Sequence, residues 1–203
     1  MRRPYLTRLL LIGLGIVIAA GLFMPRMNAG KDLQGGLLLD TPRPLKGFGA
    51  PLLTETGADY QLEDFRGKHH LLFFGFAACP DICPNTLQMA GQMYDQLSPA
   101  ERAKLDVVFV SVDPERDTPD MLQQYVRSFH PDFHALTGPD SAIESLAEQA
   151  GIAYIKVPTG ETYTIDHSAA LVLLDDQARI RAYFAPPLRR DVLAADLSTL
   201  LGS

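Results

Sequence analysis

The sequence has little cysteine: only Cys79 and Cys83 in 203 residues. A small disulfide-stapled scaffold is therefore excluded, and so is a four-cysteine zinc site within one chain. No cysteine precedes residue 79, which argues against a lipid-modified cysteine near the N-terminus. Internal repeats are absent, and the 15 prolines and 16 glycines are scattered. A collagen-like, low-complexity or wholly disordered chain is thus excluded, and 47% hydrophobic with 21% charged residues is ordinary for a folded protein. Acid is missing from residues 1–30, which carry Arg2, Arg3, Arg8 and Arg26 alone. Removing those four positive charges from the net −6 leaves −10 on residues 31–203. A domain that acidic repels phosphate backbones, so no nucleic acid partner is expected, and cationic surfaces are the better neighbours.

The first feature present is an uncharged run, Leu9 to Met24, LLLIGLGIVIAAGLFM. As a helix it is about 24 Å long, slightly short of a bilayer core of about 30 Å. Leu6 and the stems of Arg8 and Arg26 extend it. Arginines in front of the run keep the N-terminus on the cytoplasmic side. One N-terminal transmembrane helix through residues 9–24 is the expectation, with a cleaved signal peptide at Ala19-Ala20-Gly21 as the rival reading. The run is apolar rather than amphipathic, unlike a mitochondrial transit peptide. The expected organisation is a membrane anchor and the start of a tether at 1–30, then one domain at 31–203. The expected location is a bacterial inner membrane, single-pass, with the C-terminal domain in the periplasm. In an oxidising compartment two cysteines become informative.

Residues 25–36 are small, polar and glycine-bearing, as in a tether. Between Gly36 and Gly57 two short apolar runs fit a hairpin or loose edge strands. His70–Phe76 and Asp106–Val112 read as strands buried on both faces. Asn85–Leu97 has helical spacing. Thr118-Pro119 opens a second helix running to Phe129, and Ser141–Ala150 forms a third that ends at Gly151. Phe133–Leu136 is a short strand. Ala169–Leu174 and Arg179–Phe184 flank a short turn and pair antiparallel, and Asp191–Leu201 is a last helix. Alternation first and a hairpin second predicts an α/β fold, a thioredoxin-like mixed sheet flanked by helices.

The cysteine pair lies in Cys79-Pro80-Asp81-Ile82-Cys83-Pro84, between the first buried strand and a helix. Unpaired N–H groups and the helix dipole favour a thiolate there. If the turn is helical, positions 79 and 83 share a face, and both sulfurs reach one metal ion or each other. Thioredoxin-type oxidoreductases space their cysteines by two residues; the three here suit a metal clamp better. Two thiolates select soft ions, above all Cu(I). Two buried, inert cysteines are the bland alternative. Among the histidines, His69 and His70 read as a solvated strand end, and His130 and His134 as structural. His167 precedes the strand at 169–174, in the loop where thioredoxins carry a cis-proline; none occurs at 165–169. It is either a third ligand or a satisfied surface histidine, with Asp166 as a group that orients the ring or shapes a turn. Met89 and Met93 read as core fillers.

Three blocks, FFGFAACPDICPNTL at 73–87, VVFVSVDPERDTP at 107–119 and TIDHSAALVLLD at 164–175, resemble the signature blocks of the Sco/SenC family. The family consists of membrane-anchored, thioredoxin-like copper-binding proteins that assist assembly of cytochrome c oxidase, and the resemblance spans residues 37–203. It implies that Cys79, Cys83 and His167 are copper ligands for Cu(I) or Cu(II). It implies as partners the oxidase subunit bearing the binuclear copper site and a copper donor chaperone. It also implies either copper delivery to that site or reduction of its cysteines by a thiol–disulfide oxidoreductase. Asp113-Pro114 is a hallmark of the block to which the residues alone assign only a turn. Ala77-Ala78 stand where relatives often carry bulkier or polar groups, which opens the site without removing a ligand. A peroxiredoxin-like peroxidase is disfavoured because Thr-x-x-Cys is absent: position 76 is Phe. A binding module with an inert disulfide is the remaining alternative.

Overall fold

Strands form where the sequence is richest in apolar and β-branched residues. In chain order the elements are β1 (Leu37–Pro44), β2 (Leu52–Thr54), β3 (Asp59–Tyr60), β4 (His69–Gly75), α1 (Ile82–Tyr94), α2 (Pro99–Arg102), β5 (Leu105–Ser111), α3 (Pro119–Arg127), β6 (His134–Thr137), α4 (Asp140–Ala150), β7 (Tyr154–Thr159), β8 (Thr162–His167), β9 (Leu171–Leu174), β10 (Arg179–Phe184) and α5 (Arg190–Leu201). The computed structural model describes residues 33–202. The expected anchor at 9–24 lies outside them. Among the described residues no helix is long and apolar enough to cross a membrane.

The sheet order is β1-β10-β9-β4-β5-β6-β2-β3. β4, β5 and β6 run parallel, and β9 joins β4 antiparallel. This is the mixed sheet expected from the alternation. Because neighbouring residues face opposite ways along a strand, β4 feeds two cores. Leu71 and Phe73 pack with Leu87 and Met93 of α1, Leu122 and Val126 of α3, and Leu197 of α5. Leu72 and Phe74 pack with Ile143 and Leu146 of α4. Both faces of β4 are thereby covered, which is why its sequence is apolar without alternation. The two runs between 36 and 57 end on opposite sides of the sheet: β1 as the edge strand on β10, and β2 one strand in from the other edge, between β6 and β3.

Several boundaries differ from the sequence expectation. α1 begins at Ile82 rather than Asn85, because Pro84 sits in the first turn, where its missing N–H is not needed. It ends at Tyr94 rather than Leu97; Gln96 and Leu97 donate to the carbonyls three residues back and tighten the chain. α3 begins at Pro119 as expected, with the Thr118 side chain accepting from the Met121 amide. α4 ends on Gly151 in the left-handed conformation, φ 69°. The hairpin of β7 and β8, paired from Tyr154↔His167 to Thr159↔Thr162, was not foreseen. Its signal is Gly160, φ 72°, as part of a two-residue loop between β-branched runs. The apolar alternation is weak because the hairpin stands apart from the main sheet and is largely exposed.

His70 corrects the reading of a solvated strand end. The segment from β3 to Phe65 folds over this end of β4. His70 is 2% exposed, its Nε2 3.2 Å from the Tyr60 hydroxyl and its ring 5.2 Å from that of Phe65. Burial pushes its pKa down to about 4, against the opposing pull of Asp106. The unfolded chain therefore takes up a proton below about pH 6.5 that the folded chain refuses until about pH 4. Stability is predicted to fall across that window. His70→Gln should remove ~3 kcal/mol of the difference between pH 7 and pH 4. Urea unfolding of both proteins at a series of pH values measures it; parallel curves would show that His70 is not held neutral.

Candidate metal centre

β4 ends in a crowded position. A Cβ on Gly75 would lie 2.7 Å from the Cys83 sulfur and 2.9 Å from the Phe109 ring, so only glycine lets the helix start pack this closely. The chain then turns, with the Cys79 amide donating to the Phe76 carbonyl at 3.2 Å. Cys79 lies in this turn and Cys83 is the second residue of α1. The two sulfurs thus approach because the turn folds back over the helix start, not because both lie on one helical face. Both thiols are free.

His167 arrives from the other side as the last residue of β8. Its Nε2 is 3.4 Å from the Cys83 sulfur. Its Nδ1 lies 3.2 Å from the Ser168 carbonyl, which can only accept, so Nδ1 carries the proton and Nε2 keeps its lone pair in the neutral ring. Burial lowers the imidazole pKa and favours that neutral form. The rings of Phe73 and Phe76 meet it edge-on at 6.0 and 6.1 Å. Asp166 is exposed, and the backbone carbonyl takes the orienting role considered for it.

One ligand atom from each of Cys79, Cys83 and His167 lies within 4.8 Å of the other two. Cys83 is fully buried, whereas Cys79 and His167 are half-buried. The helix N-terminus was expected to favour a thiolate. At Cys83 burial outweighs it: the thiol is pushed well up, and the Cys79 sulfur and the Asp117 carboxylate add to the rise. Met93 is fully buried and Met89 packs against the same core, as the sequence suggested.

The loop after β5 ties these pieces together, a role the sequence reading did not assign. Asp117 is 1% exposed and accepts from the Ser111 hydroxyl at 2.6 Å and from the Ala77 amide of the cysteine turn at 2.9 Å. Asp113, fully buried, accepts from Arg116 Nε and from the Tyr163 hydroxyl, the latter at 2.6 Å. Arg116 also donates to the Tyr163 carbonyl at 3.0 Å, its guanidinium 4.0 Å from the Tyr163 ring. One loop therefore holds the cysteine turn with Asp117 and the histidine hairpin with Asp113 and Arg116. The legible signal was two acids flanking an arginine directly after a buried strand. Arg116→Leu is predicted to cost ~3 kcal/mol by stranding the Asp113 carboxylate. It should also speed amide exchange from Tyr163 to His167. Adding Asp113→Asn should recover part of the loss, as a double-mutant cycle would register; additive losses would mean that the two groups act separately.

The SCO1/SenC family model matches residues 48–202. The chain is 33% identical over 181 residues to a SCO2-like protein of Rickettsia prowazekii, covering 86% of this chain and 85% of that one. It is 30% identical over 189 residues to the mitochondrial SCO1 homolog of Homo sapiens, covering 92% and 63%. Among solved structures, apo Sco1 of Thermus thermophilus aligns with a TM-score of 0.72 at 32% identity, over 85% of this chain and 99% of that one. ScoI of Bradyrhizobium japonicum, solved with copper bound, aligns with a TM-score of 0.67 at 31% identity, over 77% and 98%. The thioredoxin-like arrangement, the three sequence blocks and the family match agree: the chain belongs to the SCO1/SenC family.

Proposed function

We propose that this protein is a copper metallochaperone. It binds one copper ion through Cys79, Cys83 and His167 and serves assembly of the binuclear copper site of cytochrome c oxidase. The observation that carries the reading is the convergence of two thiol sulfurs and one unprotonated imidazole nitrogen within 4.8 Å. Two thiolates and an imidazole suit soft or borderline ions, and copper above zinc when only three protein ligands are present. The copper-bound ScoI of Bradyrhizobium japonicum supports the choice of metal. Three protein ligands leave a position at which an incoming ligand can attach, so the ion passes by exchange rather than by release into water. Cys79 and His167 lie on the accessible side, and the exposed side chains of Ile82 and Ile155 adjoin ligand-bearing segments. A partner's ligand would enter from that side.

The partners in this reading are the oxidase subunit that carries the binuclear copper site and a donor that supplies the ion. The place of action is a bacterial inner membrane, with the uncharged run at 9–24 as the anchor and the domain in the periplasm. A second reading rests on the free state of both thiols. Half-exposed Cys79 attacks a disulfide of the oxidase copper site, Cys83 completes the exchange, and the pair leaves as a disulfide while the partner's cysteines leave reduced.

Titration of the reduced full chain with Cu(I) against a coloured chelator separates the two. One tight copper per chain is expected, weakened by His167→Ala by at least the roughly 10- to 100-fold that losing a group merely supporting a ligand costs. Binding unaffected by His167→Ala would leave the thiolates alone as ligands. No tight copper would remove the chaperone and leave the thiol couple.

A further inference from the structure

Strand directions place the start of β1 at the end of the sheet that carries the candidate metal centre. β4 runs towards that centre and ends at Gly75. Its neighbour β9 runs the other way, with Leu171, its first residue, opposite Phe73. β10 reverses again, and its last residue, Phe184, lies opposite Leu171. β1 reverses a third time, so its first residue, Leu37, lies beside the same end, opposite Tyr183. Three strand spacings, about 14 Å, therefore separate the start of β1 from the end of β4.

The residues in front of β1 are fixed there. The Asp196 carboxylate of α5, 2% exposed, accepts from the Gln34 amide at 2.7 Å and from the Gly35 amide at 2.9 Å. A buried carboxylate is costly without partners, and two charge-assisted bonds make this pairing a latch. A Cβ on Gly35 would lie 2.7 Å from Val192, and one on Gly36 would run into the Phe184 ring, so the two glycines let the segment lie this close. Leu33 packs against the core cluster that holds Phe73 and Cys83.

Residues 25–32, eight in all, separate Leu33 from the uncharged run that ends at Met24. Fully extended, eight residues span at most about 28 Å. We propose that the Asp196 latch and the strand order keep the metal-centre end of the domain towards the bilayer. The partner it serves is then a membrane protein whose own metal-binding group stands close to the membrane surface. The inference rests on the function proposed above, and the orientation needs only the anchor. β4 spans about 23 Å. Presenting the opposite end of the sheet, where β4 and β5 begin, would make the eight residues run alongside the domain and use nearly their whole length.

The chain has no tryptophan, so one introduced at a time reports its own position. Ile82→Trp marks the metal-centre end, and Ala103→Trp, just before β5, marks the opposite end; both positions are exposed. The full chain is placed in phosphatidylcholine vesicles that carry a dansyl acceptor on their headgroups. Energy transfer from position 82 is expected to exceed that from position 103 by roughly twofold or more, given about 23 Å between the two ends. About a dozen Gly and Ser residues inserted after Ala29 should erase most of that difference, because a longer flexible tether lets either end approach. Asp196→Asn should speed amide exchange at Gln34 and Gly35 about tenfold, the scale of one hydrogen bond to a charged acceptor. Equal transfer from the two positions, or more from 103, would overturn the proposal. So would a preference that the insertion leaves unchanged, or exchange at Gln34 and Gly35 that Asp196→Asn does not alter. A chain that fails to float with the vesicles would sink the anchor and this inference with it. One that floats but prefers neither end would sink this inference alone. No metal is added, so the copper reading stands or falls separately.

Discussion

The site depends on one constraint: two buried carboxylates in a single loop must be satisfied, and the groups that satisfy them come from two separate parts of the chain. Asp117 takes the Ala77 amide from the turn that carries Cys79. Asp113 takes Arg116 and the Tyr163 hydroxyl, and Tyr163 lies on the strand that ends in His167. Buried carboxylates without partners are expensive, so the loop cannot easily release either segment. The parallel pairing of β4 with β5 continues into this region, where the Val112 amide donates to the Gly75 carbonyl at 2.8 Å. Sheet register fixes where the loop begins, and the loop then fixes the distance between sulfur and imidazole.

The electrostatics around the sulfurs favours a neutral resting site. Burial raises the Cys83 thiol and lowers the His167 imidazole, so both groups are uncharged when unloaded. A neutral imidazole with a free Nε2 is ready to bind a metal ion. The Cys83 thiol must lose its proton to do so, which links occupancy to proton release. On the copper reading, this is a site that takes up and gives back a cation rather than one that stores a bare thiolate.

The sequence made the core elements legible where pattern and burial coincide. The apolar runs of β4 and β5, the Thr118-Pro119 start of α3 and the Gly151 stop of α4 each follow from a local rule, and each lies where that rule puts it. The cysteines could be singled out for the same reason: a strand end feeding a helix start is a local feature. His167 stayed ambiguous because its role depends on a hairpin whose burial pattern is irregular, Ile165 being its one fully buried residue. His70 was misread because what buries it is the separate segment from β3 to Phe65, packed over the strand. Asp113, Arg116 and Asp117 looked like a polar turn because their partners, Ala77 and Tyr163, are distant in the chain. Local rules cannot supply contacts between distant segments.

Exposure then orders the three candidate ligands. Cys83 is the enclosed member, packed against Phe73 and Phe109 in one cluster, and Gly75 leaves no spare room beside it. Cys79 sits in a turn braced by a single backbone hydrogen bond and by the neighbouring Ala77–Asp117 contact. His167 hangs from the end of an exposed hairpin. An incoming ligand therefore meets Cys79 and His167 before Cys83. On the copper reading, ligand exchange that started on the accessible pair and ended on the enclosed sulfur would keep the ion bound throughout. On that reading the close packing around Cys83 and the looser support of Cys79 and His167 would be parts of one device: a fixed anchor and two exchangeable arms.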